Sequence, residues 1–248
     1  MKNKLSILAL SWLCFSSYGA FASTADDLAM IRPLIPSGYD IAQAQLLQLK
    51  GMNASVIESA VSTNYLLRDF NGDGVQDVMM IIEKNPTLEN FDKKAPCDRY
   101  DWNNGCSIVY GERILQVYLG LKDGGYKLFV SNEKIVLNGD DGGAFGDPLN
   151  GLAATKKGSV RLEVYGGSSW RWRHVDTIQY RGDDFYIVGQ TDSGLHTAEP
   201  ETTSSFKDVN LITGEMISYE HSSHNAAKTK IPVKPLVKLR NFVSPLKQ

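Results

Sequence analysis

From Ser62 onward, short apolar and β-branched runs alternate with clusters of Gly, Asp and Asn, a pattern typical of consecutive β-strands. Turn-forming pairs such as Gly182-Asp183 and Thr213-Gly214 join several of the runs. We therefore expect a mainly β (β-rich α+β) fold, an antiparallel meander arranged as a sandwich or a partly closed barrel. The predicted strands are 63–69, 77–83, 113–121, 126–131, 160–166, 170–180, 185–191, 206–212 and 215–220.

One or two short helices are expected before the strands. Thr24 can cap the first helix, which must end near Pro33 because proline interrupts helical hydrogen bonding. A second helix is predicted from Asn53 to Val61. Residues 39–49 fit a helix and a strand equally well, since their composition favours helix and their flanks favour strand.

The N-terminus reads as a secretory signal peptide spanning residues 1–22. Lys2 begins a positively charged region, Leu5 to Phe15 form an apolar core, and Ala20 to Ala22 supply a small-x-small cleavage site. Cleavage after Ala22 would leave residues 23–248 as one β-rich domain. We therefore expect a periplasmic or secreted protein. The chain has no other long apolar segment, so no membrane span is predicted.

Charge composition excludes one class of partner. Lys and Arg total 26 against 28 Asp and Glu, giving a formal net charge of -2. A strongly basic surface that would bind nucleic acid is therefore not expected.

Removal of the signal peptide takes Cys14 with it and leaves Cys97 and Cys106. An even cysteine count in an exported chain predicts a disulfide, and only one pairing is available. The spacing between the two residues matches neither a redox Cys-x-x-Cys motif nor a zinc knuckle. A structural disulfide between Cys97 and Cys106 is therefore predicted.

The C-terminal arm, residues 225–248, contains basic residues and no acidic ones. Its prolines favour an extended conformation. Apolar residues alternate with the lysines, which favours an arm packed along the domain. A basic arm that contacts anionic lipid or a partner is the alternative.

The most specific motif is an oxygen-rich loop between two predicted strands. Calcium requires several oxygen ligands at about 2.4 Å, and ligands at alternate positions of a loop can surround it. Asp69, Asn71 and Asp73 offer side-chain oxygens, Val75 offers its carbonyl, and Asp77 closes the set directly or through water. The loop therefore predicts a structural calcium site. An Asx-rich turn without metal is the alternative.

The same loop separates this chain from EF-hand proteins. An EF-hand needs a bidentate Glu at position 12, where this chain has Met80, and its flanks are helices rather than strands. The loop resembles the D-x-N-x-D-G-x-x-D motif of FG-GAP or VCBS repeats, which implies a bound calcium ion. Because the motif occurs once, a propeller of repeated blades is not expected.

Several further elements accompany the calcium-type loop. They are Ile35 to Tyr39, the glycine-rich stretch 142–147, the Gly-Trp stretch 165–174, the hairpin Asn210 to Gly214 and the tail Lys234 to Leu236. Together these elements resemble a group of uncharacterised exported bacterial β-rich proteins. The resemblance implies a mainly β, exported domain and supplies no mechanism.

The predicted strand 170–180 has two chemically different faces. One face carries tryptophans and a His-Asp pair, namely Trp170, Trp172, His174 and Asp176. The other face carries Arg171 and Arg173. The four residues from Trp170 to Arg173 could bind a sugar, an anionic group or a protein. Alternatively, the tryptophans fill the core and the arginines lie in solvent or pair with Glu163.

No complete catalytic set accompanies the His174–Asp176 pair, since the chain lacks a Gly-x-Ser-x-Gly elbow and a free cysteine nucleophile. We therefore expect a binding protein that recognises an envelope protein or a polysaccharide through Trp170, Arg171, Trp172 and Arg173. The alternative is a calcium-supported exported hydrolase acting on glycans or phosphate esters. The carboxylates available for glycoside hydrolysis near the tryptophans are Asp140, Asp141, Asp147, Glu163 and Asp176.

Overall fold

The computed structural model describes residues 25–42, 64–90, 106–220 and 226–247. The predicted signal peptide, the predicted helix 53–61 and Cys97 lie outside these residues. The predicted first helix is α1 (Ala25–Ile31), which continues into a 3-10 turn over Arg32–Leu34. A second short helix, α2, spans Pro200–Thr203.

The remaining structure is mainly β, as the sequence predicts. The strands, in chain order, are β1 (Tyr39–Ile41), β2 (Tyr65–Arg68), β3 (Asp77–Lys84), β4 (Thr87–Asn90), β5 (Cys106–Val109), β6 (Arg113–Gly120), β7 (Tyr126–Asn132), β8 (Leu149–Ala154), β9 (Val160–Gly167), β10 (Trp170–Arg181), β11 (Asp184–His196), β12 (Ser205–Asn210), β13 (Glu215–Glu220) and β14 (Ala227–Lys230).

These strands form two main antiparallel sheets. In the five-stranded sheet, β3 pairs with β6, which pairs with β7, while β1 and β2 lie end to end along the other side of β3. The seven-stranded sheet is a meander in which β8 to β14 are neighbours in chain order. Strands β4 and β5 form a separate two-stranded ribbon. The predicted antiparallel meander is confirmed.

The two main sheets pack against each other around a common apolar cluster. The five-stranded sheet contributes residues such as Met79 and Leu115, and the seven-stranded sheet contributes residues such as Leu162 and Ile187. Both groups are fully or almost fully buried. Strands β12–β14 contribute no buried residue to this cluster. The seven-stranded sheet therefore extends past the part that the five-stranded sheet covers.

The opposite face of the five-stranded sheet is covered by the N-terminal segment. Ile31 at the end of α1 packs with Val78, Met80 and Ile82 of β3 in a second apolar cluster. Strand β3 is consequently buried on both faces. This double burial explains its continuous run of apolar residues, which lacks the alternation of a strand with one exposed face.

A buried arginine joins the two sheets. Arg113 on β6 is 1% exposed, and its guanidinium donates two hydrogen bonds to the carboxylate of Asp147, one of them at 2.6 Å. It also donates to Glu83 of β3 at 3.1 and 3.2 Å and to the carbonyl of Leu137 at 3.3 Å. Burial raises the pKa of Glu83 even though Arg113 opposes this. Arg113 thereby connects the five-stranded sheet to the segment that leads into β8.

The C-terminal arm lies along the edges of both sheets. The amide of Ile187 donates to the carbonyl of Val237 at 3.1 Å, and the side chain of Asn132 donates to the carbonyl of Leu239 at 2.6 Å. Arg240 pairs with Asp184 at 3.0 Å. Leu239 is fully buried in the common cluster. These contacts match the arrangement in which the arm packs along the domain.

We predict that Arg113→Ala lowers the free energy of unfolding by about 3–5 kcal/mol, because it leaves the buried carboxylate of Asp147 and the partly buried carboxylate of Glu83 without their cation. Urea-induced unfolding would measure the loss. The matched control is Lys228→Ala, which removes an exposed ion pair with Glu215 (N···O 3.2 Å) and should cost less than about 1 kcal/mol. Equal losses in the two variants would show that Arg113 has no special structural role.

Candidate functional site

The register of β10 shows which of its faces points into the protein. Ile178 lies in the common apolar cluster, and His174 is 3% exposed. The face that carries Trp172, His174, Asp176 and Ile178 is therefore the inner face of the seven-stranded sheet. Arg171 and Arg173 lie on the outer face because side chains alternate along a strand.

The two tryptophans differ in their surroundings. Trp172 is half-buried and packs against the common cluster, with Gly166 of β9 and Gly194 of β11 as its neighbours across the sheet. Its indole occupies the space beside Gly166, where an added Cβ would lie 2.5 Å from Cζ2. Trp170 is 60% exposed and meets the ring of its cross-strand partner His196 edge-on, at 5.0 Å between centroids. Of the two tryptophans, only Trp172 packs against the core.

The two arginines are engaged with neighbours on the outer face. Arg173 holds the carboxylate of Glu163 through two hydrogen bonds of 2.7 Å. Burial alone would raise the pKa of Glu163, but the bonds from Arg173 outweigh it and lower that pKa. The guanidinium carbon of Arg171 lies 3.7 Å from the centroid of the Phe145 ring. The structure therefore places Trp170 to Arg173 on two faces and not in one continuous surface.

His174 lies between two carboxylates on the inner face. Its Nδ1 is 2.6 Å from Asp192 of β11, and its Nε2 is 3.2 Å from Asp176 without meeting hydrogen-bond geometry. Gln190 donates to Asp176 at 2.8 Å. Burial lowers the pKa of His174, but the two carboxylates outweigh it and raise the pKa to about 9. His174 is therefore an imidazolium at neutral pH.

A cleft of about 630 Å³ opens on the inner face where the five-stranded sheet no longer covers β11–β13. Its lining combines aromatic, apolar and polar residues, and Leu246 of the C-terminal arm is among them. The residues around it are Trp172, Arg173, His174, Asp192, Ser193, Gly194, Ser205, Phe206, Lys207, Met216, Ser218, Tyr219 and Leu246.

Positive and negative groups lining the cleft balance each other. The hydrogen bond from His174 lowers the pKa of Asp192, and the nearby positive charge of Lys207 adds to this effect. Asp176 provides a second carboxylate beside His174. The imidazolium and the Lys207 ammonium thus stand against two carboxylates. The cleft presents polar atoms without a large excess of either charge.

The predicted calcium loop is closed by bonds from its own main chain. Asp69 accepts hydrogen bonds from the amides of three following residues at 2.7–3.2 Å, and these bonds lower its pKa. Asn71 accepts one amide bond at 3.0 Å, and Asp73 accepts one from Val75 at 2.8 Å. These hydrogen bonds hold the side-chain oxygens of Asp69, Asn71 and Asp73 close to the main chain of the loop.

Asp77 is oriented differently from the other residues of the motif. It is fully buried, and its two carboxylate oxygens accept the amides of Phe70 and Gly120 at 2.9 Å each. Burial raises the pKa of Asp77. In the described ranges, no group of three or more His, Cys, Asp or Glu is arranged to hold a metal ion. A cation at this loop would therefore depend on Asn71 and on the carbonyl of Val75 as well as on carboxylates.

The predicted disulfide falls partly outside the described residues. Cys106 begins β5 and is buried, but Cys97 is not among the described residues. The pairing of Cys97 with Cys106 stays a prediction.

Three of the carboxylates considered for hydrolysis have firm partners. Asp147 is bound to Arg113, Glu163 is bound to Arg173, and Asp176 is bound to Gln190 beside His174. These contacts hold the three side chains in the protein framework and do not direct them as a pair toward one substrate position.

Sequence reasoning identified Trp172, His174 and Arg173 but missed the rest of the cleft. Lys207 lies opposite Asp192 of β11, and Ser218 lies opposite Lys207. The alternation of residues in β12 and β13 was available in the sequence. The register that brings these strands beside His174 was not.

No protein-family model, curated protein or solved structure matches this chain. Within the ranges that the structure describes, no helix is long and apolar enough to cross a membrane.

We predict that the stabilising effect of His174 is pH-dependent. The pKa is raised from 6.5 to about 9 on folding, so the contribution is complete below pH 6.5 and is lost as the pH rises through about 9. With allowance for Asp192, which is 51% exposed, the loss should be about 2–3 kcal/mol. Urea-induced unfolding of wild type and His174→Gln at about pH 6 and pH 10 would measure it.

The difference in unfolding free energy between the two proteins should be large at the lower pH and small at the higher one. A difference that is the same at both values would contradict the charged His174 cluster. The ring proton shifts of His174 in NMR spectra would report its pKa directly.

Proposed function

We propose that the chain is an exported, non-catalytic binding protein that recognises an envelope protein or polysaccharide through the cleft on β10–β13. The observation that carries this proposal is the cleft itself, which is lined by Trp172 and by polar side chains. Its volume of about 630 Å³ lies within the range of ordinary ligand sites. The predicted signal peptide supports export.

The state of His174 supports binding over hydrolysis. A general base needs an unprotonated nitrogen within reach of the substrate. The pKa of His174 is raised to about 9, so its imidazole is protonated at neutral pH, and its nitrogens lie beside Asp176 and Asp192. The ring is also almost completely buried. These features make His174 a fixed positive charge in the cleft wall.

We also propose that the loop from Asp69 to Val75 binds a structural calcium ion. The chemistry of the donor set fits a hard cation, because Asp69, Asn71 and Asp73 provide side-chain oxygens within five residues of one another. Each of these oxygens that accepts one amide hydrogen retains a second lone pair. Calcium would neutralise the carboxylates of Asp69 and Asp73 and stabilise the turn between β2 and β3.

The binding proposal predicts that a photo-crosslinking amino acid in the cleft captures an envelope component. Ser205 lines the cleft and is exposed, so p-benzoylphenylalanine can replace it without disturbing the core. After irradiation in an extract of the exporting cells' envelope, mass spectrometry would identify the adducts. The control is the same replacement at Ser131, an exposed residue of β7 that does not line the cleft.

Adducts are expected from position 205 and not from position 131. The same adducts at both positions, or none at position 205, would contradict the cleft as the binding site. A panel of chromogenic glycoside and phosphate-ester substrates addresses the hydrolase alternative. Turnover abolished by His174→Gln in a folded protein would favour that alternative.

The calcium proposal predicts a higher melting temperature in the presence of the ion. For a site with a dissociation constant near ~10⁻⁴ M, about 1 mM calcium adds roughly 1.4 kcal/mol. In a protein of this size the expected shift is about 3–6 °C, measured by thermal unfolding against a chelator control.

Asp73→Ala should abolish the shift because it removes a side-chain ligand. Asp123→Ala, in the exposed turn between β6 and β7, should leave the shift unchanged. If wild type shows no shift, the loop is an Asx-rich turn without metal.

A further inference from the structure

We infer that the ligand of the cleft is an uncharged oligosaccharide chain. This inference rests on the proposed binding function and names the chemistry of its ligand. Three properties of the described residues carry it: an aromatic side chain beside glycines, charges that balance each other in number, and hydroxyl and carboxylate groups along the cleft.

The aromatic surface is the indole of Trp172. Glycines on both neighbouring strands leave room beside the indole, and the ring occupies the space that a side chain at Gly166 would fill. Trp172, which is only half-buried, contributes an apolar aromatic wall to the cleft. The C–H groups on one side of a sugar ring are apolar and pack against such aromatic surfaces, while the hydroxyl groups point to the sides.

Trp170 is a second, exposed tryptophan next to the cleft, although it is not one of the lining residues. It lies two residues from Trp172 on the same face, so the two backbone positions are about 7 Å apart. Its indole is 60% exposed and is supported on one side by the ring of His196. Two rings of one saccharide chain can therefore lie against the two indoles. This arrangement favours a chain over a single sugar.

The charges around the cleft argue for a neutral ligand. On the inner face, the positive charges of His174 and Lys207 equal in number the negative charges of Asp176 and Asp192. The cleft therefore offers no net charge that would favour an anionic or a cationic ligand. A neutral ligand needs no such excess of charge.

Hydroxyl groups of a saccharide would find partners on the same face. Asp192 is 51% exposed, so its carboxylate can accept hydrogen bonds from ligand hydroxyls. Lys207 can donate to them, and the hydroxyls of Ser205 and Ser218 can donate or accept. These residues lie on successive strands across the cleft.

Titration calorimetry and tryptophan fluorescence would test the inference with neutral hexasaccharides: cellohexaose, maltohexaose and N-acetylchitohexaose. Hexagalacturonate and the de-acetylated chitosan hexamer provide the anionic and cationic probes. At least one neutral hexasaccharide should bind and change the fluorescence, and both charged probes should bind at least about tenfold more weakly. The matching neutral monosaccharide should also bind about tenfold more weakly, because a single ring cannot contact both indoles.

Substitutions identify the surface that binds the saccharide. Trp172→Ala should weaken it at least about tenfold, but this variant also loses core contacts. Ser205→Trp therefore provides a second test, since it fills the cleft from an exposed position and should reduce affinity by a similar factor. Ser131→Trp is the matched control and should retain wild-type affinity. Trp170→Ala should weaken hexasaccharide binding more than monosaccharide binding, because only the chain contacts both indoles.

The inference is wrong if no neutral hexasaccharide binds, if a charged probe binds more tightly, or if Ser205→Trp binds as well as wild type. Photo-crosslinking from position 205 distinguishes failure of the saccharide inference from failure of the proposed binding function. A protein adduct specific to that position, with no saccharide binding, would overturn the saccharide ligand and keep the binding function. If neither a specific adduct nor saccharide binding is found, the saccharide ligand and the proposed binding function are both wrong.

Discussion

The arrangement of the two sheets depends on the buried guanidinium of Arg113. It bonds to Glu83 within the five-stranded sheet and to Asp147 next to β8, the strand that begins the seven-stranded sheet. A buried cation with two carboxylate partners is costly to disrupt, because removal of one partner leaves uncompensated charge. These bonds fix the point at which the larger sheet starts relative to the smaller one.

The cleft follows from this arrangement. The smaller sheet covers the strands near β8, and the meander then continues past it to β14. The inner face of the uncovered strands borders a space whose other wall includes Leu246 of the C-terminal arm. The arm is held in place by Asn132 and Asp184, which belong to different sheets. The same contacts that stabilise the sandwich therefore also shape the proposed binding site.

Local sequence patterns predicted the strands better than the site. Strand β10 was predicted at 170–180 and spans Trp170–Arg181, because alternation and β-branched residues are local signals. Strand β14 was missed because its Ala-Lys-Thr-Lys sequence is exposed and is ordered by pairing with β13. The bond between Arg113 and Asp147 spans 34 residues and has no local signal. The division of Trp170 to Arg173 between two faces was also predicted from alternation, but the identity of the buried face depends on packing against the five-stranded sheet and has no local signal.

Chemical-shift mapping of the backbone amides would test the central claim, that the uncovered inner face of β10–β13 is the binding site. The isotope-labelled protein would be titrated with the neutral hexasaccharides. The account predicts that shifts concentrate at Trp172, Gly194, Ser205, Lys207 and Ser218, with little change in the five-stranded sheet. Shifts confined to other regions, or no shifts with any of the hexasaccharides, would contradict it.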